Sequence, residues 1–288
     1  MTEPLVLKTA LGKHAHVAPL KDGRVTSKRV TLEFHEFEPL PDAFRTMVRG
    51  GDLDVSEMAV VTHLLAHRFG KPITGIAIPL WSRLPHVNLV CAPASGITGP
   101  KSLEGRLSGV RAYAQTSGVW VRGILQHDYG VDLDTIRWLT MEDAHLTEYE
   151  DPAFCTRNTS GKGLRQLMID GELASIMGER VVDPSGICTV IPDAERAAHN
   201  WIERNGHGAI NHILSVKTDL LKQHDWLAAE LSRMFNEARE IAIGEGAEAP
   251  PDYGMKACRA SLQMCLEFSA EQQITQRRYA VDEMFVSV

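Results

Sequence analysis

The chain has 288 residues, of which 44% are hydrophobic and 23% are charged, and its formal net charge at pH 7 is -7. This composition is typical of a globular protein, and the length is sufficient for one large domain or for two lobes. The negative net charge argues against a nucleic-acid partner. No stretch reaches the roughly 18 apolar residues that a membrane span needs, so we expect no membrane partner either.

The N-terminal segment lacks the basic region, apolar core and small-residue cleavage site of an export signal. We therefore expect a cytoplasmic protein. The five cysteines are widely spaced and form no CxxC pair. This spacing favours reduced thiols over a disulfide framework or a zinc site.

Strand and helix patterns alternate in the first third of the chain. The predicted strands cover residues 5–9, 30–34, 53–55, 73–79 and 87–92. One helix is predicted over residues 41–48, and another begins at Ser56 and Glu57 and ends at Gly70. This alternation predicts an α/β architecture with a mainly parallel sheet.

A Pro-, Gly- and Ser-rich stretch, APASGITGP at residues 92–100, marks a crossing into a second lobe. Beyond it, the predicted strands cover residues 136–140, 173–177 and 209–216, and the predicted helices cover residues 119–129, 163–170, 193–203, 226–243, 256–268 and 271–285. Because the strand at 209–216 returns to the first lobe, lobe 1 is predicted to comprise residues 1–91 and 209–288, and lobe 2 residues 92–208. We expect a ligand cleft between the lobes.

The stretch RAYAQTSGVWVRGIL, residues 111–125, has the pattern of a strand end, a polar turn and a helix. A helix N-terminus carries unpaired N–H groups and a partial positive charge, which favour a carboxylate. Thr116 and Ser117 offer hydroxyl groups for capping the helix or for binding a ligand. An ordinary capped helix after a strand explains the same pattern, so both interpretations stay open.

Motifs for phosphate binding, acyl transfer and metal binding are absent from the sequence. There is no G-x-x-x-x-G-K-[ST] loop, no complete G-x-G-x-x-G and no G-x-S-x-G. His14 and His16 form an H-x-H pair, and His63 and His67 lie on one face of a predicted helix. No HExxH glutamate accompanies them, so we predict no metal and no cofactor.

Polar residues interrupt or follow several of the predicted strands. Capping or solvation explains each of them singly, but their common position near the lobe junctions favours a ligand site. They are Ser56, Glu57, Trp81, Ser82, Arg83, His86, Asn211 and His212.

Seven segments of the chain resemble the 4,5-dihydroxyphthalate decarboxylases, a family with a type 2 periplasmic-binding-protein fold and no export signal. The segments are PLKDGRV (19–25), GGDLDVSEMAVVTHLLA (50–66), SRLPH (82–86), GPKSLEGRLSGVRAY (99–113), QTSGVWVRGILQHDYGVDLDTIRWLT (115–140), INHILSVKTDLLKQHDWLAAEL (210–231) and YGMKACR (253–259). A general α/β protein is not expected to carry DVSEM, TSGVWVRGIL and YGVD in this order.

The resemblance implies a two-lobed fold and a carboxy-lyase that decarboxylates a hydroxylated aromatic acid, 4,5-dihydroxyphthalate or a close relative. Such a reaction needs a proton donor for the carbon that loses CO2, which we assign to His86 or His212. Glu57 is the predicted acceptor for a phenolic hydroxyl proton. No electron-sink cofactor is required.

We also predict a set of substrate-binding residues for an aromatic carboxylate. Arg83, Thr116 and Ser117 are expected to hold the carboxylate, and Tyr113 and Trp120 to form walls. The complete predicted set is His14, Ser56, Arg83, Arg111, Tyr113, Thr116, Ser117, Trp120, Arg122 and Asn211. For Arg122, a structural pairing away from the ligand is the alternative.

Three positions depart from the family pattern. His14 stands near the place of a tyrosine, Pro85 replaces an arginine, and Glu142 with its neighbours replaces a glycine pair. These changes leave the exact substrate open.

A non-catalytic solute-binding protein for an organic acid is the main alternative function, because one fold can serve both classes. Another reaction on the same scaffold and a homodimer also stay open.

Overall fold

The computed structural model describes residues 3–178 and 186–286 of the chain. The strands are β1 (Leu5–Ala10), β2 (Val30–Phe34), β3 (Val55–Ala59), β4 (Ile73–Arg83), β5 (Leu89–Cys91), β6 (Leu107–Val110), β7 (Arg137–Thr140), β8 (Cys155–Arg157), β9 (Ser175–Met177), β10 (Cys188–Thr189), β11 (Ala209–Lys217) and β12 (Phe285–Val286). The helices are α1 (Ala18–Lys21), α2 (Pro41–Val48), α3 (Val60–Arg68), α4 (Thr116–Tyr129), α5 (Leu164–Ile169), α6 (Ala194–Asn205), α7 (Thr218–Gln223), α8 (Leu227–Gly244) and α9 (Met255–Glu271). The predicted α/β class is confirmed. No helix within these ranges is long and apolar enough to cross a membrane.

The chain divides into two compact units, each with its own six-stranded sheet. Unit 1 comprises Met1–Ser82, Ile210–Gln263 and Tyr279–Val288, and unit 2 comprises Arg83–Ala209 and Met264–Arg278.

Two segments belong to unit 2 although the sequence assigned them to lobe 1. Residues 83–91 include β5, which hydrogen-bonds to β9 and β10 in the second sheet. Residues 264–278 pack on α4, where the Phe268 and Trp120 rings lie 5.8 Å apart. A strand of three residues carries no sequence sign of the sheet with which it pairs, so the boundary at residue 92 differs from the unit boundary.

The sheet of unit 1 has the strand order β12-β4-β11-β3-β1-β2. β1 is parallel to β2 and β3, whereas β11 is antiparallel to β3. Leu7 of β1, Val55 of β3 and Leu214 of β11 are fully buried in one cluster with Phe235 of α8. α8 contributes to this cluster because its apolar residues recur with helical spacing along one face.

The sheet of unit 2 has the strand order β10-β5-β9-β6-β7-β8. β6, β7, β8 and β9 form parallel pairs, and β5 is antiparallel to both of its neighbours. α5 lies close to β6 because β6 carries Gly109. A Cβ atom there would lie 2.6 Å from a methyl group of Leu164 and 2.7 Å from one of Leu173, so any larger residue would displace these side chains.

α4 is the most deeply buried helix of unit 2 and confirms the helix predicted at residues 119–129, with a start three residues earlier. The Trp120 ring packs edge-on against the rings of Trp201 and Phe268, each 5.8 Å away. Gly123 leaves room for Phe268, since a Cβ atom at position 123 would lie 2.0 Å from that ring. The apolar face of this helix therefore forms part of the core of the unit.

Three local predictions are corrected by the structure. Ser56 and Glu57 do not begin a helix but lie within the fully buried strand β3, and α3 starts at Val60. The strand predicted at residues 73–79 continues to Arg83 in β4 and so includes residues 81–83. Residues 271–285, expected to be helical, contain only the end of α9, a short 3-10 turn and the first residue of β12. Tertiary pairing outweighed the local helical pattern in the first and last cases.

Within unit 1, His63 of α3 links its helix to two other segments. Its Nε2–H donates to the carbonyl of Met284 at 3.1 Å, and its Nδ1 accepts from the Ser215 hydroxyl at 2.9 Å. Burial lowers the pKa of His63 to about 4. His63 therefore has a structural role as a neutral imidazole.

This burial predicts a loss of stability in acid. Between pH 6.5 and 4 the unfolded chain binds a proton at His63 and the folded chain does not. The free energy of unfolding therefore decreases as the pH is lowered through this window, and the total loss at pH 4 is about 3 kcal/mol. His16 and His86, whose pKa burial also lowers to about 4, act in the same direction. Urea unfolding between pH 4 and 8 measures the effect. His63→Gln should reduce the slope, and His199→Gln, a change at an exposed histidine, should leave it unaltered. Equal slopes in all three proteins would contradict the assignment.

Candidate functional site

A buried carboxylate between two imidazoles is the central polar cluster of unit 1. Glu57 of β3 is 0% exposed, and its Oε1 accepts from Nδ1 of His212 at 2.6 Å. Nε2 of His14 lies 3.0 Å from Oε1 and 2.9 Å from Oε2. The backbone N–H of Gly12 donates to Oε2 at 2.8 Å. Three donors thus converge on one carboxylate.

Strand register explains why these residues meet. β11 is antiparallel to β3, with Leu214 opposite Glu57 and His212 opposite Ala59. Because side chains two residues apart share a face, His212 is the diagonal neighbour of Glu57 on that face. β1 is parallel to β3, with Ala10 opposite Ser56, so the loop after β1 brings Gly12 and His14 to the same end of the sheet.

Hydrogen bonding determines the charge of Glu57. Burial by itself raises the pKa of a carboxyl group, but the hydrogen bonds from His14 and His212, together with their charges, bring the pKa of Glu57 well below its usual range. The carboxylate is therefore ionised and can only accept hydrogen bonds. It follows that Nδ1 of His212 and Nε2 of His14 carry the protons that face it.

Aromatic rings surround the His212 imidazole. Phe44 of α2 contacts it edge-on with 5.1 Å between ring centroids, and Trp81 of β4 lies at 4.7 Å. The side chain of His212 keeps 15% of its surface exposed, and that of His14 keeps 20%. Both imidazoles are thus fixed in position while part of each ring stays open to solvent.

His14 also stacks on a second histidine. The rings of His14 and His16 are 5.3 Å apart and inclined by 10°. Burial, assisted by the charge of His14, lowers the pKa of His16 to about 4, so His16 is neutral at pH 7. The predicted H-x-H pair therefore contributes one imidazole to the cluster and one that supports it.

Gly12 is required by the close approach of this loop to the carboxylate. A Cβ atom at position 12 would lie 2.6 Å from Nε2 of His14 and 2.9 Å from Oε2 of Glu57. No real Cβ contact is that short, so any side chain here must displace one of the two groups.

Two further predicted residues of unit 1 flank the cluster along the chain. Ser56 is fully buried, and its hydroxyl donates to the carbonyl of Glu57 at 2.7 Å. Asn211 precedes His212 and is 1% exposed, and its Oδ1 has no hydrogen-bond partner among the described residues. Ser56 thus has a structural role, whereas Asn211 keeps an unused acceptor.

The remaining predicted residues belong to unit 2, where His86 lies in a 3-10 turn at Pro85–Asn88. The His86 side chain is 1% exposed and faces the Trp201 ring at 6.3 Å. Burial lowers its pKa to about 4, so it is neutral at pH 7. The half-buried Arg83 donates to Oδ1 of Asn88 at 3.3 Å.

Thr116 and Ser117 form the first turn of α4, as the sequence predicted for a helix N-terminus. Gln115 is the N-cap residue, and Thr116 and Ser117 are 3% and 5% exposed. Nearby in the chain, Arg111 follows β6 and forms an ion pair with Glu142 at 2.8 Å. A carboxylate of the protein itself thus engages this arginine.

Tyr113, Trp120 and Arg122 lie inside unit 2. Arg122 is fully buried, donates from Nε to the Gln272 side chain at 2.7 Å and from Nη2 to the Tyr113 carbonyl at 2.6 Å, and lies 4.0 Å from the Tyr113 ring centroid. The Tyr113 hydroxyl donates to the backbone carbonyl of Gln272 at 3.1 Å. Burial lowers the pKa of Arg122 and raises that of Tyr113 to about 12. This network corresponds to the structural alternative for Arg122.

Sequence reasoning missed several residues that support the site. His16 was noted only as half of a metal-like pair, and Trp81 only as one of several residues near the lobe junctions, without its contact to His212. Gly12 could be recognised in the sequence only as a glycine between a strand and a histidine pair. The reason for a glycine there is the closeness of Glu57, which the sequence does not show. Phe44 and Gln272 carried none, because both act through tertiary contacts.

Within residues 3–178 and 186–286, no group of three or more His, Cys, Asp or Glu side chains is arranged to hold a metal ion. The prediction of a metal-free and cofactor-free protein stays a prediction.

Comparison with known proteins places this site in context. The chain matches no protein-family model. It is 29% identical over 261 residues to the 4,5-dihydroxyphthalate decarboxylase of Comamonas testosteroni, which covers 83% of this chain and 76% of that protein. It is also 29% identical over 144 residues to the 4,5-dihydroxyphthalate decarboxylase of Pseudomonas putida, which covers 48% of this chain and 55% of that protein. The resemblance that the motifs indicated is confirmed.

Solved structures share the fold at low sequence identity. The periplasmic aliphatic sulphonate binding protein SsuA from Escherichia coli gives a TM-score of 0.61 at 13% identity, covering 98% of this chain and 97% of that chain. SsuA from Xanthomonas axonopodis pv. citri bound to MOPS gives 0.57 at 13% identity, with both chains covered completely at 100%. The desulfurization enzyme DszB gives 0.57 at 14% identity, covering 99% of this chain and 97% of that chain. The chain is therefore similar in sequence to the 4,5-dihydroxyphthalate decarboxylases and has the two-lobed α/β fold of the periplasmic binding proteins.

Proposed function

We propose that this chain is a carboxy-lyase that releases CO2 from a hydroxylated aromatic acid, with 4,5-dihydroxyphthalate or a close relative as the substrate. The similarity to the Comamonas testosteroni decarboxylase over 83% of the chain supports the reaction class. The observation that carries the proposal is the buried carboxylate of Glu57 with an imidazole on each side. This arrangement supplies the two proton-transfer groups that the reaction requires.

The reaction requires a high electron density at the ring carbon that bears the carboxylate, because this carbon must accept a proton. A hydroxyl group para to the carboxylate-bearing carbon donates electron density to that carbon, more strongly when its proton is removed. A proton is then added to the carbon, the C–C bond to the carboxylate breaks, and its electron pair returns to the ring as CO2 leaves. The phenolate regains a proton at the end. General acid–base steps of this kind accelerate a reaction by roughly 10² to 10⁴-fold each.

We assign the proton donor to His212. Its Nδ1–H is held by Glu57 at 2.6 Å, so Nε2 points away from the carboxylate, and no described residue hydrogen-bonds to that nitrogen. An imidazole whose Nδ1–H is held by a carboxylate keeps one ring orientation, so its Nε2 stays available for proton transfer. Among the described residues, no carboxylate hydrogen-bonds to His86, which is nearly fully buried and has a pKa lowered to about 4 by that burial. These features favour His212 of the two predicted donors.

We assign the acceptor of the phenolic proton to His14 rather than to Glu57. Both oxygens of Glu57 already accept hydrogen bonds, and the carboxylate is 0% exposed. The ring of His14 keeps part of its surface open and presents Nδ1 on the side opposite Glu57. Glu57 then acts as the positioning residue that couples both imidazoles through one negative charge.

The aromatic carboxylate itself requires walls and anion donors. In unit 1, the partly exposed ring of Trp81 beside His212 offers apolar surface of the kind that binds an aromatic ring. In unit 2, Thr116 and Ser117 at the start of α4 stay the proposed donors for a carboxylate, because a helix N-terminus favours an anion.

A solute-binding protein for an organic acid is the second candidate. Its supporting observation is that two of the solved structures with this fold are sulphonate-binding proteins. A third structure with the same fold is a desulfurization enzyme, so the fold alone does not decide between the classes.

A CO2-release assay with hydroxylated phthalates and benzoates tests the proposed function. We expect turnover of a dihydroxylated diacid, accompanied by one new ring C–H bond, and deuterium at that carbon when the solvent is D2O. The same panel is to be tested for thermal stabilisation, with and without a chelator. Ligands that raise Tm without releasing CO2 would establish the binding-protein alternative, and turnover abolished by the chelator would overturn the metal-free prediction.

Substitution of the two candidate donors separates their roles. His212→Gln should lower kcat by roughly 10² to 10⁴-fold, since it removes the proposed general acid. His86→Gln should leave kcat within a few-fold of the wild type and act mainly on stability. The comparison uses initial rates of CO2 release on proteins whose circular dichroism spectra match. A large loss in His86→Gln alone would reverse the assignment.

Gly12→Ala probes the positioning of the imidazole and carboxylate pair. The added methyl group must displace Nε2 of His14 or Oε2 of Glu57, and a displacement near 1 Å can cost about 10²-fold in rate. We expect kcat to fall by roughly 10 to 100-fold, with a smaller change in KM. Gly244→Ala, at a glycine of unit 1 with no atom within 4 Å of the added Cβ, is the matched control. Equal activity of the two variants would contradict the proposed role of the cluster.

A further inference from the structure

Two of the five cysteines lie directly opposite each other in the sheet of unit 2. β10 is antiparallel to β5, and the register places Cys188 opposite Cys91. Their Sγ atoms are 3.2 Å apart, in direct contact without a bond. We propose that Cys91 and Cys188 form a redox-active thiol pair, a modification site at which a peroxide or a small disulfide generates a reversible intramolecular disulfide.

The backbone geometry of the pair already suits a disulfide. Directly opposed residues of antiparallel strands have Cα atoms about 4.5 or 5.5 Å apart, and disulfides span Cα distances of roughly 4.4 to 6.8 Å. The sulfur atoms need to approach from 3.2 Å to about 2.0 Å. A side-chain movement of roughly 1 Å therefore suffices, and the strands stay paired.

The two thiols differ in exposure in a way that suits a two-step reaction. Cys188 is exposed and Cys91 is 1% exposed. Burial, together with the contact to Cys188, raises the pKa of Cys91 to about 12, so Cys91 stays protonated at neutral pH. Cys188 is thus the thiol that meets an oxidant in solution, and Cys91 is the resolving thiol.

The reaction with a peroxide balances without any group from the protein beyond the two thiols. The Cys188 thiol loses its proton and the thiolate attacks one oxygen of hydrogen peroxide. The O–O bond breaks, a sulfenic acid forms, and the departing hydroxide takes up the released proton as water. The Cys91 sulfur then displaces hydroxide from the sulfenic acid, the S–S bond forms, and the Cys91 proton leaves with that hydroxide as water. In total, two thiols and one peroxide give one disulfide and two waters, and a dithiol reductant reverses the change.

The remaining cysteines provide the contrast. Cys155 of β8 is half-buried, and its pKa is raised to about 12, first by burial. Cys258 is buried, and its Sγ lies 3.3 Å from the carbonyl of Asp252 and 3.7 Å from that of Ala77. Cys155 combines partial exposure with no sulfur partner among the described residues, which makes it the natural control.

The disulfide would link the edge strand β10 covalently to β5 in the sheet of unit 2. β10 is a two-residue strand at the sheet edge, paired only with β5 in the part of the chain that the structure describes. A covalent bond from Cys188 to Cys91 closes a loop across 97 sequence positions, and long loops gain most from such closure. We expect oxidation to raise Tm by several degrees. This inference does not depend on the proposed function.

Thiol mapping of the full chain tests the pair. The reduced protein is treated with hydrogen peroxide or oxidised glutathione, unfolded, alkylated with iodoacetamide and analysed by mass spectrometry. We expect alkylatable thiols to fall from five to three, the mass before alkylation to fall by about 2 Da, and a linked Cys91–Cys188 peptide that disappears after reduction. On oxidation, the Cys155→Ser variant should still lose two alkylatable thiols, whereas the Cys188→Ser variant should form no intramolecular disulfide.

Several results would overturn the proposal. Five alkylated thiols after oxidation would show that the pair does not close. A stable glutathione adduct on Cys188 with Cys91 still alkylated would show that Cys91 does not resolve it. Linkage of either cysteine to Cys155, Cys258 or Cys265 would show that unfolding, rather than the strand register, directs the chemistry.

Discussion

The candidate site of unit 1 depends on one interaction, the burial of an ionised carboxylate between two imidazoles. A carboxylate moved out of water is costly unless donors replace its hydration. Glu57 is 0% exposed, and its donors come from two imidazole side chains and one backbone N–H group. Because these donors lie on β11 and on the loop after β1, the carboxylate fixes both segments relative to β3.

This constraint explains features of unit 1 that otherwise have no common cause. Gly12 is needed because the loop approaches the carboxylate too closely for a side chain. Phe44 and Trp81 hold the ring of His212, whose Nδ1 is already committed to Glu57. Each neighbour thus restricts a degree of freedom of an imidazole, and a fixed imidazole with one free nitrogen is suited to proton transfer.

Much of the architecture could be predicted from sequence periodicity. β2 and α2 have the predicted bounds, because alternation in VTLEF and the helical pattern of PDAFRTMV are strong local signals. Ser56 and Glu57 were misassigned to a helix because a buried strand and the first turn of a helix share a short apolar pattern. The pairing of β3 between β1 and β11 decided the outcome, and that pairing is not local.

The site was only partly predictable for the same reason. Glu57, His212 and His14 were all among the predicted residues, but nothing in the chain indicated that residues 155 positions apart share a hydrogen bond. Arg122 was predicted to have either a ligand or a structural role, and its contacts to Gln272 and Tyr113 correspond to the structural one. The Cys91–Cys188 pair was not foreseen, because strand register and not spacing brings the two sulfurs together.

The most direct test of the central claim is the protonation pattern of the two imidazoles, read from 15N chemical shifts at pH 7. His14→Gln and His212→Gln variants assign the signals. We predict a proton on Nδ1 of His212 and on Nε2 of His14, with both signals shifting in Glu57→Gln. A His212 ring whose Nδ1 carries no proton, or a spectrum that Glu57→Gln leaves unchanged, would contradict the claim that this carboxylate orients the two imidazoles.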